Sequence, residues 1–369
     1  MGKLFRQDDQ AYMRECLKLA LRGAGFVSPN PLVGAIVVKN GKIIGRGYHK
    51  KFGGAHAEVH AIRSARTSVR GATLYVNLEP CNRYGKTPPC TKLLIESKIK
   101  KVIVGMKDPN PLISGKGIAE LRSAGIQCIV GVLRNDCEQL NEAFTKFIKT
   151  KTPFVALKVA QTLDGKIANK NGKSKWITTP QSRAIVHQLR SRYDAVLVGA
   201  GTVKTDNPRL TVRAVRGRDP IRIVLDGRLS CEVQSKIFST NKQRKTILFT
   251  STNAARKHKR KVQAFLHKGV EVILLQGTSR GELTLTEVLN ITGLLGIASV
   301  LVEGGSHIFS SFMSERLVDK VYIFIAPKIF GKGIHAFQNE GLFSNNKVSL
   351  TNAQYRVVSD DLFIEASIK

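Results

Sequence analysis

The chain has no hydrophobic run long enough to cross a bilayer. Its longest near-apolar stretch, residues 291–302, falls well short of the ~20 residues a spanning helix needs. The first ten residues carry Asp8 and Asp9 and no apolar core, so they do not read as a secretory signal. Six cysteines at irregular spacing in 369 residues do not make a disulfide framework. A reducing cytoplasm is expected, where thiols stay available. Acidic residues are scarce, with 27 Asp and Glu against 59 Lys and Arg, a net charge of +32. Such an excess raises nucleic-acid binding. The basic residues are spread along the whole chain, however, and most are lysines. The densest run, Arg256-Lys257-His258-Lys259-Arg260-Lys261, lies in the acid-free stretch 233–270 and has no interleaved aromatics for base stacking. It reads as a solvated helix face with weak, non-specific attraction to polyanions. No specific nucleic-acid partner and no membrane partner are expected.

A hydrophobic content of 42% fits a globular protein, and the length suggests two domains, residues 1–150 and 151–369. The first half reads as a helix over 10–25, a hairpin of strands 33–38 and 42–48 around Asn40-Gly41, a helix from His56, and a strand over 72–78. A helix then starts at Cys90, followed by strand 101–106, helix 116–124 and strand 127–132. Residues 144–153 read as the connection. The second half again alternates strands (154–160, 195–198, 220–225, 246–250, 270–275, 300–302) with helices. Both halves are therefore expected to be α/β. The second half has no Gly-x-Gly-x-x-Gly after its first strand, which excludes a Rossmann domain by fingerprint.

The chemistry centres on His56-Ala57-Glu58, Pro80-Cys81 and Cys90. One imidazole and two thiols can hold zinc and leave a fourth position open, the pattern of a catalytic rather than a structural site. Glu58 is free to move protons, as in zinc nucleobase deaminases, where the glutamate of His-x-Glu is not a ligand. The other reading of these residues is a satisfied histidine and two buried structural thiols. A helix N-terminus at Cys90 is expected to favour its thiolate. Asn30, between Pro29 and Pro31, suits either hydrogen bonding to a heterocycle or simple turn chemistry. Gly304-Gly305-Ser306 at a strand-to-helix turn suits a phosphate or a plain helix cap.

The run Pro29-Asn30-Pro31, His56-Ala57-Glu58-Val59-His60-Ala61, Leu78-Glu79-Pro80-Cys81 and Gly85-Lys86-Thr87-Pro88-Pro89-Cys90 resembles the deaminase half of the bifunctional riboflavin-biosynthesis deaminase/reductases. Eight residues separate the cysteines, unlike the Pro-Cys-x-x-Cys of cytidine and tRNA-adenosine deaminases. Thr162-Leu163-Asp164-Gly165-Lys166, Ser174-Lys175-Trp176-Ile177-Thr178, Asp206-Asn207-Pro208 and Val302-Glu303-Gly304-Gly305 resemble the reductase half, whose fold is like dihydrofolate reductase. The resemblance implies a cytidine-deaminase-like α/β/α domain followed by a dihydrofolate-reductase-like α/β domain, with Zn2+ and NADPH as cofactors. It implies a phosphorylated pyrimidine ribosyl substrate, deaminated and then reduced from ribosyl to ribityl. His56, Cys81 and Cys90 would be the zinc ligands and Glu58 the catalytic group. Ala160, Trp176, Thr202, Asp206, Gly227, Gly305, Ser306, His307, Ile308, Phe309, Ser310 and Ser311 would contact NADPH. Asn30, Lys158, Ser174, Arg190, Leu210, Arg213 and Glu303 would contact substrate, with Arg190 and Arg213 as phosphate handles. A homo-oligomer is expected. One departure is visible. The family usually has a histidine two residues after the first cysteine, and this chain has Arg83, which is longer and permanently charged.

Two other readings compete. A binding protein built on a decayed enzyme, with RNA on its basic surface, would hold no zinc. A nucleoside deaminase fused to an unrelated reductase would act on free cytidine or deoxycytidylate.

Overall fold

The computed structural model describes residues 7–172, 176–239, 245–278, 281–337 and 348–369. The chain divides into two compact units, Met1–Lys151 and Thr152–Lys369. Among the described residues, no helix is long and apolar enough to cross a membrane.

The first unit runs α1 (Gln7–Leu21), β1 (Gly34–Lys39), β2 (Lys42–Tyr48), α2 (Ala57–Arg63), β3 (Thr73–Leu78), α3 (Cys90–Glu96), β4 (Lys101–Met106), α4 (Lys116–Ser123), β5 (Gln127–Val130), α5 (Arg134–Leu140) and α6 (Glu142–Thr150). Its five strands are ordered β2-β1-β3-β4-β5. β1 and β2 form an antiparallel hairpin at Asn40-Gly41, which both adopt positive φ as a tight hairpin turn requires. β3, β4 and β5 are parallel. The two faces can be told apart by their glycines. A Cβ on Gly34 would lie 2.1 Å from the Cys16 carbonyl of α1, and one on Gly47 would lie 2.2 Å from the Ala57 carbonyl of α2. Gly47 pairs with Ala35, the residue next to Gly34, so the two glycines face opposite sides of the sheet. Helices therefore cover both faces, with Met13, Cys16, Ala57, Ala61, Val76 and Ile103 in the core between them.

Residues 144–150, expected as connecting chain, belong to α6. Phe144, Phe147 and Ile148 recur at helical spacing there, and the lysines between them lie on the other side of the turn.

The second unit begins with β6 (Phe154–Thr162) and β7 (Lys166–Asn169), then α7 (Pro180–Arg192), β8 (Ala195–Gly199), α8 (Ala200–Asp206), β9 (Ile221–Leu225) and β10 (Thr246–Ser251). It continues through α9 (Thr252–Lys257), α10 (Lys259–His267), β11 (Glu271–Leu275), α11 (Leu285–Leu294), β12 (Ser299–Gly304) and α12 (Ser306–Ser314). It ends with β13 (Lys320–Ala326), β14 (Gly333–His335), β15 (Leu350–Val358) and β16 (Asp361–Ile368). The main sheet is ordered β11-β10-β9-β8-β12-β6-β13-β16-β15. All neighbours pair in parallel up to β13, and β13, β16 and β15 pair antiparallel. β12 lies between β6 and β8, so consecutive strands part there and leave a crevice at their carboxyl ends. The central strands are apolar over most of their length, as strands covered on both faces are, with Lys158 and Glu303 as the charged exceptions. The basic run 256–261 spans the end of α9 and the start of α10, and residues 256–260 are exposed, as a solvated face should be.

Candidate active sites

In the first unit the close approach of α2 to β2, which Gly47 permits, brings the α2 N-terminus beside the loops that follow β3. His56 is the N-cap of α2, and Glu58 sits in its first turn, 3% exposed. Cys81 follows β3 through Glu79-Pro80. The Glu79 carboxylate fixes that loop by accepting N–H groups of Asp108 (3.1 Å), Gly115 (2.9 Å) and Ile118 (3.2 Å). Cys90 opens α3, capped by Pro89, and is buried. His56 Nδ1 lies 3.3 Å from Cys90 Sγ and 3.5 Å from Cys81 Sγ, and the three donor atoms all fall within 4.8 Å of one another. The set is one borderline and two soft donors, converging from three elements. That fits a tetrahedral zinc ion with one coordination position left over.

The surroundings support this donor set. Thr87 Oγ1 lies 3.3 Å from His56 Nε2. With Nε2–H donated to that hydroxyl, the Nδ1 lone pair faces the thiols. The backbone N–H of Cys90 donates to Cys81 Sγ at 3.4 Å. The helix start at Cys90 was expected to favour the Cys90 thiolate. Its N–H serves the two thiols as one hydrogen-bonded pair. The hydrogen bond from the Cys90 thiol is the largest influence; it outweighs burial and, with His56, draws Cys81 down to about 4. Cys90 is raised well above the usual thiol range by its hydrogen bond to Cys81 and by burial. Burial raises the Glu58 pKa.

Asn30 lies beside this cluster through His49, which stands outside any sequence motif. Asn30 Nδ2 donates to His49 Nε2 at 3.2 Å, and His49 Nδ1–H donates to the Ala55 carbonyl at 3.0 Å. The His49 ring meets the His56 ring edge to face at 5.5 Å. His49 directly follows β2 and is 3% exposed, with no motif around it to mark it. Asn82, next to Cys81, buries its Oδ1 with no hydrogen-bond partner among the described residues. Arg83 is exposed on the loop between the thiols. Lys86, on the same loop, lies over the Phe52 ring at 4.0 Å.

In the second unit, the crevice at the carboxyl ends of β6, β8 and β12 is a cavity of about 870 Å³. It brings together Lys158, Ala160, Trp176, Arg190, Thr202, Asp206, Leu210, Arg213, Glu303, Gly305, Ser306, His307 and Phe309. Gly227, Ile308, Ser310 and Ser311 do not line it, and Ser174 lies outside the described residues. Ile308 packs where a Cβ on Gly199 would lie, and Ser310 is buried. A Cβ on Gly227 would lie 1.9 Å from the Gly281 carbonyl, so that glycine serves a close backbone approach. Gly304 and Gly305 shape the turn from β12 into α12. A Cβ on Gly304 would lie 2.8 Å from the Thr202 side chain, and Gly305 has φ +97.

Glu303 is the electrostatic centre. Its side chain is 3% exposed, with Arg190 Nε at 2.5 Å, Arg190 Nη2 at 2.7 Å and Lys158 Nζ at 3.3 Å. Burial alone would raise this carboxyl, but the Arg190 and Lys158 charges hold it at about 2. Arg190 Nη1 also donates to the Thr211 carbonyl at 3.2 Å. Its fork is thus engaged by Glu303 and the backbone, while the side chain still lines the crevice. Arg213 Nη1 donates to Thr211 Oγ1 at 3.2 Å. Burial, then the neighbouring charges of Arg190 and Arg209, push the Arg213 pKa below the usual range, which marks a positive potential in this part of the crevice. Trp176, 65% exposed, lies under the Arg183 guanidinium at 4.3 Å.

Comparisons with known proteins match these two sites in order along the chain. The family model for the cytidine and deoxycytidylate deaminase zinc-binding region matches residues 6–106, and that for the RibD C-terminal domain matches residues 153–364. The riboflavin biosynthesis protein RibD of Aquifex aeolicus is 46% identical over 332 residues, 90% of each chain. A Thermotoga maritima crystal structure, described as a diaminohydroxyphosphoribosylaminopyrimidine deaminase/5-amino-6-(5-phosphoribosylamino)uracil reductase, is 41% identical, with a TM-score of 0.83 over 98% of this chain and 99% of that one. The RibD of Acinetobacter baumannii is 33% identical, with a TM-score of 0.86 over the same shares. With its zinc-site and reductase halves both matched along nearly the full length, the chain belongs to the RibD family of riboflavin biosynthesis proteins.

Proposed function

We propose that the chain catalyses two successive steps of riboflavin biosynthesis. The first is hydrolytic deamination of 2,5-diamino-6-(5-phosphoribosylamino)pyrimidin-4-one. The second is NADPH-dependent reduction of the ribosyl group to ribityl, giving 5-amino-6-(5-phosphoribitylamino)uracil. The observation that carries the first step is the buried Glu58 carboxyl in the first turn of the helix capped by His56, beside two convergent thiols. His56, Cys81 and Cys90 would hold a zinc ion, which supplies an acidified water as nucleophile near neutral pH. Glu58 moves the protons. Burial raises its pKa, so it can take a proton as water attacks the amine-bearing carbon and return one to the departing ammonia. Thr87 holds the His56 ring in place. Asn30, held by His49, and Asn82, with its unpartnered Oδ1, are assigned as polar contacts for the pyrimidine. Arg83 stands where the family has histidine and is assigned to the mouth of this site.

The crevice of the second unit would hold NADPH, which when bound would supply a hydride for C1′ of the sugar. Ala160, Trp176, Thr202, Asp206 and the turn from Gly305 are assigned to the cofactor. Lys158, Leu210, Arg213 and Glu303 are assigned to the substrate. Arg190 is assigned to holding Glu303 ionised, which leaves the phosphate to Arg213 with Arg209 nearby. We further read the chain as a cytoplasmic homo-oligomer. Its six cysteines are free thiols, and the edge strand β15 exposes Tyr355 and Val357. Light scattering on the purified chain tests the oligomer.

Glu58→Gln tests the deaminase assignment. The variant should bind zinc like the parent, lose deamination by about 10²–10⁴-fold, and still reduce supplied 5-amino-6-(5-phosphoribosylamino)uracil with NADPH. Ammonia release near the parent rate would overturn the role given to Glu58.

A further inference from the structure

The segment from Leu210 to Arg213 has no regular secondary structure, yet side chains hold its backbone at successive residues. The Thr211 carbonyl accepts from Arg190 Nη1 at 3.2 Å, and Asp219 Oδ1 accepts from the Val212 N–H at 2.7 Å. The Arg213 N–H donates to His187 Nδ1 at 3.3 Å. His187 and Arg190 lie three positions apart on α7, so they share one face of the helix, and both line the crevice. A third point of the same helix fixes the far end of the loop, where a Cβ on Gly217 would lie 2.4 Å from the Ser191 side chain. Leu210, at the start of the segment, is buried at φ +50, a backbone state that a non-glycine residue keeps only when its surroundings impose it.

We propose that His187 is a positioning residue of the reductase site, holding the Arg213 backbone so that the Arg213 guanidinium meets the substrate phosphate. The proposal rests on the assignment of Arg213 to that phosphate. A backbone N–H can only donate, so His187 Nδ1 must accept and the ring proton must lie on Nε2. Burial first, then the charges of Arg190 and Arg213, hold the His187 pKa below its ordinary value, with Glu303 and a hydrogen bond to the Thr211 backbone opposing them. The imidazole is therefore neutral near pH 7 and keeps the lone pair that this bond requires. His187 touches no reacting atom in this scheme and acts only through the segment it holds.

The test is steady-state reduction of 5-amino-6-(5-phosphoribosylamino)uracil by the full chain at saturating NADPH. The parent is compared with His187→Ala, His187→Asn, Arg213→Ala and the His187→Ala/Arg213→Ala double variant. His187→Ala should raise KM about three- to ten-fold, the worth of one neutral hydrogen bond, with kcat, zinc content and deamination unchanged. His187→Asn should restore most of the loss, because its Oδ1 can stand in for Nδ1 as acceptor. In the double variant the effects should be less than additive, since His187 has nothing to position once the Arg213 side chain is gone. If Arg213→Ala raises KM while His187→Ala leaves it unchanged, or if the two effects are fully additive, His187 is not the positioning residue and the phosphate assignment stands. If Arg213→Ala leaves KM unchanged, the phosphate assignment itself falls and the proposal with it. A His187→Ala chain that fails to fold leaves the decision to His187→Asn, which must then match the parent in KM; a tenfold rise there overturns the proposal.

Discussion

Glu58 and Glu303 are both buried carboxyls, and their neighbours send them in opposite directions. Burial dominates at Glu58 and raises it, which suits a group that must carry a proton. At Glu303 two cations overcome burial and hold the pKa at about 2, against an ordinary 4.5. A depressed carboxyl stabilises the fold fully above the unfolded value and loses that contribution as pH falls through the folded one. The second unit should therefore lose roughly 3 kcal/mol between about pH 4.5 and 2 from this residue, at ~1.4 kcal/mol per unit. Glu303→Gln should be less stable at neutral pH, because two partly buried cations lose their partner, and should lack that acid limb in melts followed against pH. An acid limb equal to the parent's would show that the ion cluster is not coupled to folding. Thr87→Val should lower zinc affinity about 10–100-fold, measured by chelator competition, because the His56 ring loses the group that orients it. Unchanged affinity would mean that the ring is held by packing alone. Arg213→Ala should weaken the phosphorylated substrate by about 1.5–3 kcal/mol and leave NADPH affinity in place. Of these residues, His56, Glu58, Cys81 and Cys90 were legible in the sequence because their spacing is a motif. Thr87 was read only as part of that motif, and His49 and His187 not at all. Their partners are distant in sequence, and a lone histidine carries no local signal.

At the scale of elements, the strands of the first unit and the parallel strands of the second were legible because apolar runs and turn residues bound them. In the antiparallel set, β15 carries no sequence signal because it is exposed over most of its length and lacks an apolar run, whereas β13 does carry one in Val321-Tyr322-Ile323-Phe324-Ile325. α6 reads as connecting chain because Thr145, Lys146, Lys149 and Thr150 interrupt its apolar residues, and only helical spacing puts Phe144, Phe147 and Ile148 on one face. The register of α2 on β2 could not be read either, because it depends on a glycine that means nothing until the helix is placed. Gly47→Ala puts a Cβ 2.2 Å from the Ala57 carbonyl and 2.3 Å from the Ala61 nitrogen, both backbone atoms that cannot swing aside. It should cost at least about 1–3 kcal/mol of first-unit stability and weaken zinc binding with it, because α2 carries His56. Gly85→Ala, with nothing within 4 Å of the new Cβ, is the control and should change neither by denaturant unfolding or zinc titration. Loss of stability without any loss of zinc affinity would uncouple the helix position from the metal site.

For the whole molecule, the fold gives each reaction its own sheet, and the two clusters share no residue. The net charge of +32 is spread over the chain, and the two clusters account for little of it. The reactions should therefore separate cleanly under chelation. Removing zinc should abolish deamination while reduction of supplied 5-amino-6-(5-phosphoribosylamino)uracil continues. The most direct measurement follows both reactions together. The full, zinc-loaded chain is incubated with 2,5-diamino-6-(5-phosphoribosylamino)pyrimidin-4-one, and ammonia release and NADPH oxidation are recorded. Without NADPH, ammonia should be released and the phosphoribosylamino-uracil should accumulate. With NADPH, ammonia and oxidised cofactor should form in equal amounts, with ammonia first. NADPH oxidation that needs no deamination, or an absence of ammonia from a zinc-loaded chain, would contradict the two-step account.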